Sequence, residues 1–161
     1  MAIPYRGNTG LGTYFITAST FQKQNLLQSE RMAGLLLKVL FHYRDQKKYL
    51  LHEFVIMPNH FHLLLTPLDS LEKALQLIKG GFSYRAKKEL GFTEELWQQS
   101  FYDHRVRNTE EYERCRHYIH QNPALRGLIE VAEAYGYSSA SPGFMLDEVP
   151  QRLKPLGVVA S

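Results

Sequence analysis

Residues 49–66 read YLLHEFVIM, then PN, then HFHLLLT. Two runs of aromatic, β-branched and aliphatic residues meet across a Pro-Asn pair that belongs in a turn. The pattern predicts strands over residues 49–57 and 60–66, joined as an antiparallel hairpin. Alternation along the second strand then fixes directions, because residues two apart share a face. Phe61, Leu63 and Leu65 turn one way; His60, His62 and Leu64 turn the other.

The rest of the chain can be ordered around this hairpin. YFITAST, residues 14–20, reads as a strand. Ser29 caps a helix to about residue 45, with Met32, Leu35, Leu36, Val39, Leu40 and Tyr43 at helical spacing. Ser70 caps a second helix with Leu71, Leu75, Ile78 and Leu90 as inward positions, and Gly80-Gly81 is expected to interrupt it. Residues 101–106 read as a fourth strand. A third helix begins near Asn108, with Glu111 placed for a capping box, and Pro123 is expected to stop it at about residue 121. The first ten residues read as a poorly ordered lead-in, and beyond Val131 only loop is expected.

Strand, helix, strand, strand, helix, strand is the split βαβ plan. The expected fold is therefore α+β, a ferredoxin-like or RRM-like sandwich. Its antiparallel sheet has helices on one face, and an added C-terminal helix follows. The other face is expected to be open, with His60 and His62 on it.

With 161 residues, 44% hydrophobic and 22% charged, the chain suits one globular domain. No apolar run is long enough to span a membrane, and MAIPYRGNTG lacks the apolar block of a signal peptide, so a cytoplasmic protein is expected. Cys115 is the single cysteine, which excludes an intramolecular disulfide and a multi-cysteine zinc site. Residues 1–126 hold 17 Lys and Arg against 12 Asp and Glu, a net of +5; residues 127–161 hold 2 against 4, a net of −2. That basic excess permits nucleic-acid binding, and ten tyrosines and nine phenylalanines offer stacking surfaces or core.

Two neutral imidazoles on one strand face can ligate one divalent ion, or can simply be exposed or hydrogen-bonded. They are too few for a closed zinc site and suit an open one. On the third helix Tyr118 and Asn122 lie one turn apart, beside an inward stripe of Tyr112, Cys115 and Ile119. A phenol, with an ordinary pKa of about 10, is a weak nucleophile at neutral pH and needs help from a metal that polarises the phosphate. An amide oxygen such as that of Asn122 is a hard metal ligand. Alternatively Tyr118 is a core residue and Asn122 caps a short helix beginning at Pro123.

MPNHFHLLL, WQQSFYDHRVRN and HYIHQNPALRGL, in this order, resemble the REP-associated tyrosine transposases, in the single-tyrosine branch of the HUH endonucleases. The similarity runs over residues 14–139. It implies a domain over residues 1–131 and a tail over 132–161. It also implies that His60 and His62 bind metal with Asn122, that Tyr118 is the catalytic nucleophile, and that the ion is Mg²⁺ or Mn²⁺. The implied activity is cleavage and rejoining of single-stranded DNA at or near hairpin repeats, through a 5′-phosphotyrosine, in a bacterial cytoplasm, by a monomer or a homodimer. Candidate phosphate contacts are Lys79, Arg85, Lys87 and Lys88 on the second helix, and Arg105 and Arg107. Ala124 replaces a frequent valine, and Tyr135-Gly136-Tyr137 stands where a Trp motif often precedes Ser138-Ser139. The rival reading is a non-catalytic module that binds single-stranded nucleic acid, but no RNP-type aromatic pattern is present. A two-motif His-x-Thr/Ser phosphoesterase is excluded, because no histidine is followed two residues later by Thr or Ser.

Overall fold

The computed structural model describes residues 12–154; the lead-in of residues 1–10 lies outside them. Four strands, β1 (Thr13–Ser19), β2 (Tyr49–Met57), β3 (His60–Pro67) and β4 (Tyr102–Val106), form one antiparallel sheet in the order β2-β3-β1-β4. This is the expected ferredoxin-like sheet. No helix among the described residues is long and apolar enough to cross a membrane.

Helix α1 (Glu30–Asp45) starts where the Ser29 hydroxyl accepts the Met32 N–H, and buries Leu36, Val39 and Leu40. Helix α2 (Leu71–Leu90) is capped by Ser70 and ended by Gly91 in the left-handed region, φ +71°. Both pack on one sheet face, against Ile16, Phe54, Phe61, Leu63 and Leu65. The expected interruption at Gly80-Gly81 does not occur, because α2 runs through both. A Cβ on Gly81 would lie 2.7 Å from the Tyr43 hydroxyl oxygen, so glycine there lets the α1 tyrosine lie against α2. Its helix penalty is about 1 kcal/mol, less than the packing it permits.

β2 carries an irregularity between Leu51 and Glu53. It lets Leu51 and Phe54, three apart, enter the same core while Glu53, Val55 and Met57 turn to the other face. That face is not open. Helix α3 (Thr109–Leu125) lies over it and forms a second core with Val55, Met57, Leu64 and Val106, through Tyr112 and Ile119. The start of α3 is as expected: Asn108 accepts the Glu111 N–H at 2.9 Å, and Glu111 accepts the Arg107 N–H at 2.8 Å. Its end is not, since the helix passes Pro123 and continues to Leu125. Proline removes only the bond to the Ile119 carbonyl, and the Arg126 N–H still reaches the Asn122 carbonyl at 3.0 Å.

The chain after α3 contains two 3-10 turns, Ala132–Ala134 and Gln151–Leu153. Between them it straps the outer edge of β2. Ile56 N–H donates to the Tyr137 carbonyl, Ser139 N–H to Phe54, and Asp147 N–H to Leu51. The Asp147 carboxylate accepts from the Leu51 N–H and from both Nε and Nη2 of Arg44.

Candidate active site

β3 brings His60 and His62 into the middle of the sheet. Across it β1 places Ser19 and Thr17, and β2 places Met57 and Val55. Both imidazoles emerge on the α3 side, and both are buried. Each ring is held by Nδ1. The Asn59 carboxamide donates through Nδ2 to the Lys23 carbonyl at 3.3 Å, so its Oδ1 faces His60 Nδ1, 2.7 Å away. An amide oxygen only accepts, so His60 carries its proton on Nδ1 and presents the Nε2 lone pair. His62 Nδ1 meets the Thr17 hydroxyl at 2.9 Å. When it donates there, its Nε2 is left in the same state.

Burial pushes His60 down to about 4, helped by the charges of Arg126 and Lys23, and burial with the neighbouring His60 pushes His62 down to about 3. Both rings are therefore neutral at pH 7, the form that ligates metals. His62 Nε2 and Asn122 Oδ1 are buried without a hydrogen-bond partner. Leaving such an atom unsatisfied costs about 1–3 kcal/mol. Asn122 lies on α3 one turn after Tyr118 and one turn before Arg126, and both of these line the cleft at the histidines.

Tyr118 is 42% exposed and packs against His62, with ring centroids 5.2 Å apart at 69°. Phe15 wedges both rings, stacking on His62 at 5.2 Å and meeting Tyr118 edge-on at 6.0 Å. The cleft is about 360 Å³, and Lys23, Asn59 and Arg126 complete its wall. A larger groove of about 1010 Å³ runs along the outside of α3, lined by Arg107, Arg114, His117, Gln121 and Arg152. Tyr118 borders both.

A family model described as "Transposase IS200 like" matches residues 11–122. The chain belongs to this transposase family. It is 24% identical over 131 residues to the REP-associated tyrosine transposase of Escherichia coli (strain K12), covering 80% of this chain and 76% of that protein. A solved structure of a REP-associated tyrosine transposase bound to a REP hairpin superposes with a TM-score of 0.67 at 21% identity, covering 91% of this chain and 89% of that one. At that identity the superposition speaks for the fold.

Within this transposase, the structure gathers His60, His62 and Tyr118 around one cleft and puts Asn122 on the helix turn beside it. Among the described residues no three His, Cys, Asp or Glu side chains cluster to hold an ion. The cleft offers two imidazole nitrogens, and the Asn122 amide oxygen lies on the helix turn beside it, donors that a divalent ion can use with positions left for water or phosphate oxygens.

The expected phosphate contacts are dispersed. Lys79, Arg85, Lys87 and Lys88 ride on α2, in the layer across the sheet from the histidines. There Lys79 Nζ donates to the Gln98 carbonyl, Arg85 pairs with Glu89, and Lys88 sits over the Tyr84 ring. Arg105 pairs in register with Tyr14, whose side chain enters that same layer. Of the six, Arg107 lines the groove at Tyr118. Sequence reasoning missed Thr17 and Asn59, which orient the imidazoles, and Lys23 and Arg126. It also missed Glu53, whose carboxylate accepts from His120 and from the Ser139 hydroxyl, both at 2.6 Å, and so pins α3 and the strap to β2. Asn59 acts on its neighbour His60, whereas Thr17, Lys23, Arg126 and Glu53 carry no local signal, since each meets the site or its partner across the fold.

Proposed function

We propose that this transposase is a metal-dependent single-stranded DNA endonuclease and strand transferase that cuts at or near hairpin repeats through a 5′-phosphotyrosine. The observation that carries the reading is the pair of buried, unpartnered atoms, His62 Nε2 and Asn122 Oδ1, beside a tyrosine packed on His62. Mg²⁺ or Mn²⁺, held by His60, His62 and Asn122, would polarise the phosphate and favour departure of the 3′-oxygen.

The chain's own groups do the rest. Tyr118 Oη attacks phosphorus and loses its proton. The P–O3′ bond breaks, and the leaving oxygen takes up a proton as a free 3′-hydroxyl. The phosphate stays ester-linked to Tyr118, so a 3′-hydroxyl can later attack it, re-form a phosphodiester and release the phenol without a nucleotide cofactor. Phe15 and His62 hold the phenol ring in place, which lowers the entropic cost of the attack. A relative's structure with a REP hairpin supports DNA hairpins as substrate. DNA is the substrate of a cytoplasmic protein on this reading.

The test is incubation with labelled single-stranded hairpin DNA and Mg²⁺ or Mn²⁺. A covalent adduct should appear on denaturing gels and be absent with Tyr118→Phe. An adduct of equal yield from that variant would remove Tyr118 as the nucleophile. Binding without any adduct in the native protein would favour the non-catalytic module.

A further inference from the structure

Two cations enter the histidine cleft that the metal and the tyrosine leave without a task. Lys23 comes from the turn after β1, and Arg126 from the end of α3, one helical turn beyond Asn122. Neither side chain is paired with a carboxylate among the described residues. A pair of unneutralised cations in one polar cleft calls for an anion.

The turn that presents Lys23 is unusual. Gln22 and Lys23 both adopt left-handed backbone, φ +53° and +55°, which side-chain-bearing L residues disfavour. Surrounding bonds hold the turn in this state. Thr20 N–H and Oγ1 both donate to the Asn59 carbonyl, Phe21 N–H donates to Leu96, and Asn59 Nδ2 donates to the Lys23 carbonyl. The same Asn59 amide accepts from His60. One side chain therefore fixes both the turn carrying the cation and the ring of the first histidine. Backbone strain maintained this way, beside a reactive site, has the character of a functional constraint.

We propose that Lys23 and Arg126 form a phosphodiester clamp, gripping the non-bridging oxygens of the strand at the cleft and neutralising charge that builds on the phosphate as Tyr118 attacks. The clamp rests on the reading of the site as a DNA-cleaving centre. Its positions differ from the expected cations of α2, which lie across the sheet.

The experiment has two arms. Binding is measured in Tyr118→Phe protein with a fluorescein-labelled single-stranded DNA hairpin carrying random flanks, by anisotropy across a salt series. Adding Lys23→Met with Arg126→Gln should shallow the slope of log K against log salt by about 1.4, from two single-strand contacts of about 0.7 each. Cleavage is measured as the rate of adduct formation with Tyr118 intact. There the double variant should be slowed roughly 100-fold, and Lys23→Arg with Arg126→Lys should recover most of both effects. An unchanged slope and an unchanged adduct rate, in a double variant whose thermal midpoint matches its parent, would overturn the clamp. If the native protein forms no adduct but the slope still falls, the cleavage reading fails and the clamp stands as an anion site.

Discussion

The two faces of β3 are both buried, yet they are built on opposite principles. Towards α1 and α2 it turns Phe61, Leu63 and Leu65, all fully buried among apolar neighbours. Towards α3 it turns His60 and His62 beside Leu64. On the first face β3 presents these apolar side chains, which have no polar atoms to satisfy. The second leaves His62 Nε2 and, under α3, Asn122 Oδ1 without partners. The lesson is a division of labour. One face supplies the free energy of folding, and the other carries the polar atoms on which the proposed metal site rests.

The contrast can be broken in order of effect. The largest change is expected from Tyr118→Phe, which should bring adduct formation to background while leaving thermal stability nearly unchanged, because the residue is 42% exposed. Next, Phe61→Ala should destabilise by about 3–5 kcal/mol in denaturant unfolding, the range for emptying a packed aromatic site. Its neighbour on the other face should behave in reverse. Asn122→Leu should leave the metal-free protein as stable as before or more so, by up to about 1–2 kcal/mol, and His62→Leu, which also takes the partner of the Thr17 hydroxyl, should cost no more than about 1–2 kcal/mol, while either abolishes cleavage. A loss of several kcal/mol in either would mean the polar atoms are satisfied after all.

Metal addition sharpens the same point. Mn²⁺ at 100 times its dissociation constant should stabilise the native chain by about 2.7 kcal/mol, read as a rise in thermal midpoint. His60→Ala with His62→Ala should erase the rise. The smallest effect concerns the edge where the two faces meet. Burial raises the pKa of Asp147, but the hydrogen bonds from Arg44 and the Leu51 N–H outweigh it, and the carboxyl stays below its ordinary value. Its contribution is therefore present above an unfolded pKa of about 3.9 and is lost as pH falls through the lower folded value. Asp147→Asn should cost about 1 kcal/mol at pH 7 and flatten that acid limb of the stability curve.

Much of this was legible because it is local. The hairpin of β2 and β3, the Ser29, Ser70 and Asn108 caps, and the common direction of the histidines follow from period and punctuation alone. Tyr118 and Asn122 could be linked by one helical turn. What escaped was set at long range. Gly80-Gly81 looked like a break because its reason, Tyr43, stands on another helix. The open face was expected because nothing in the run from Thr109 says which side of the sheet it will cover. The cations of α2 stood out as a charge run, whereas Lys23 lies in FQKQNLL, where no pattern marks it. Bonds from Thr20 to Asn59, from Phe21 to Leu96 and from Asn59 to Lys23 bring that lysine to the histidines.

The strap along β2 has a consequence for how copies of this protein meet. An exposed strand edge is a template on which a second chain can add a strand, and unrestrained addition ends in aggregation. Here the strap's own backbone takes up the Phe54, Ile56 and Leu51 groups on one border, and the other border is the five-residue β4. Sheet extension is thereby discouraged at both ends.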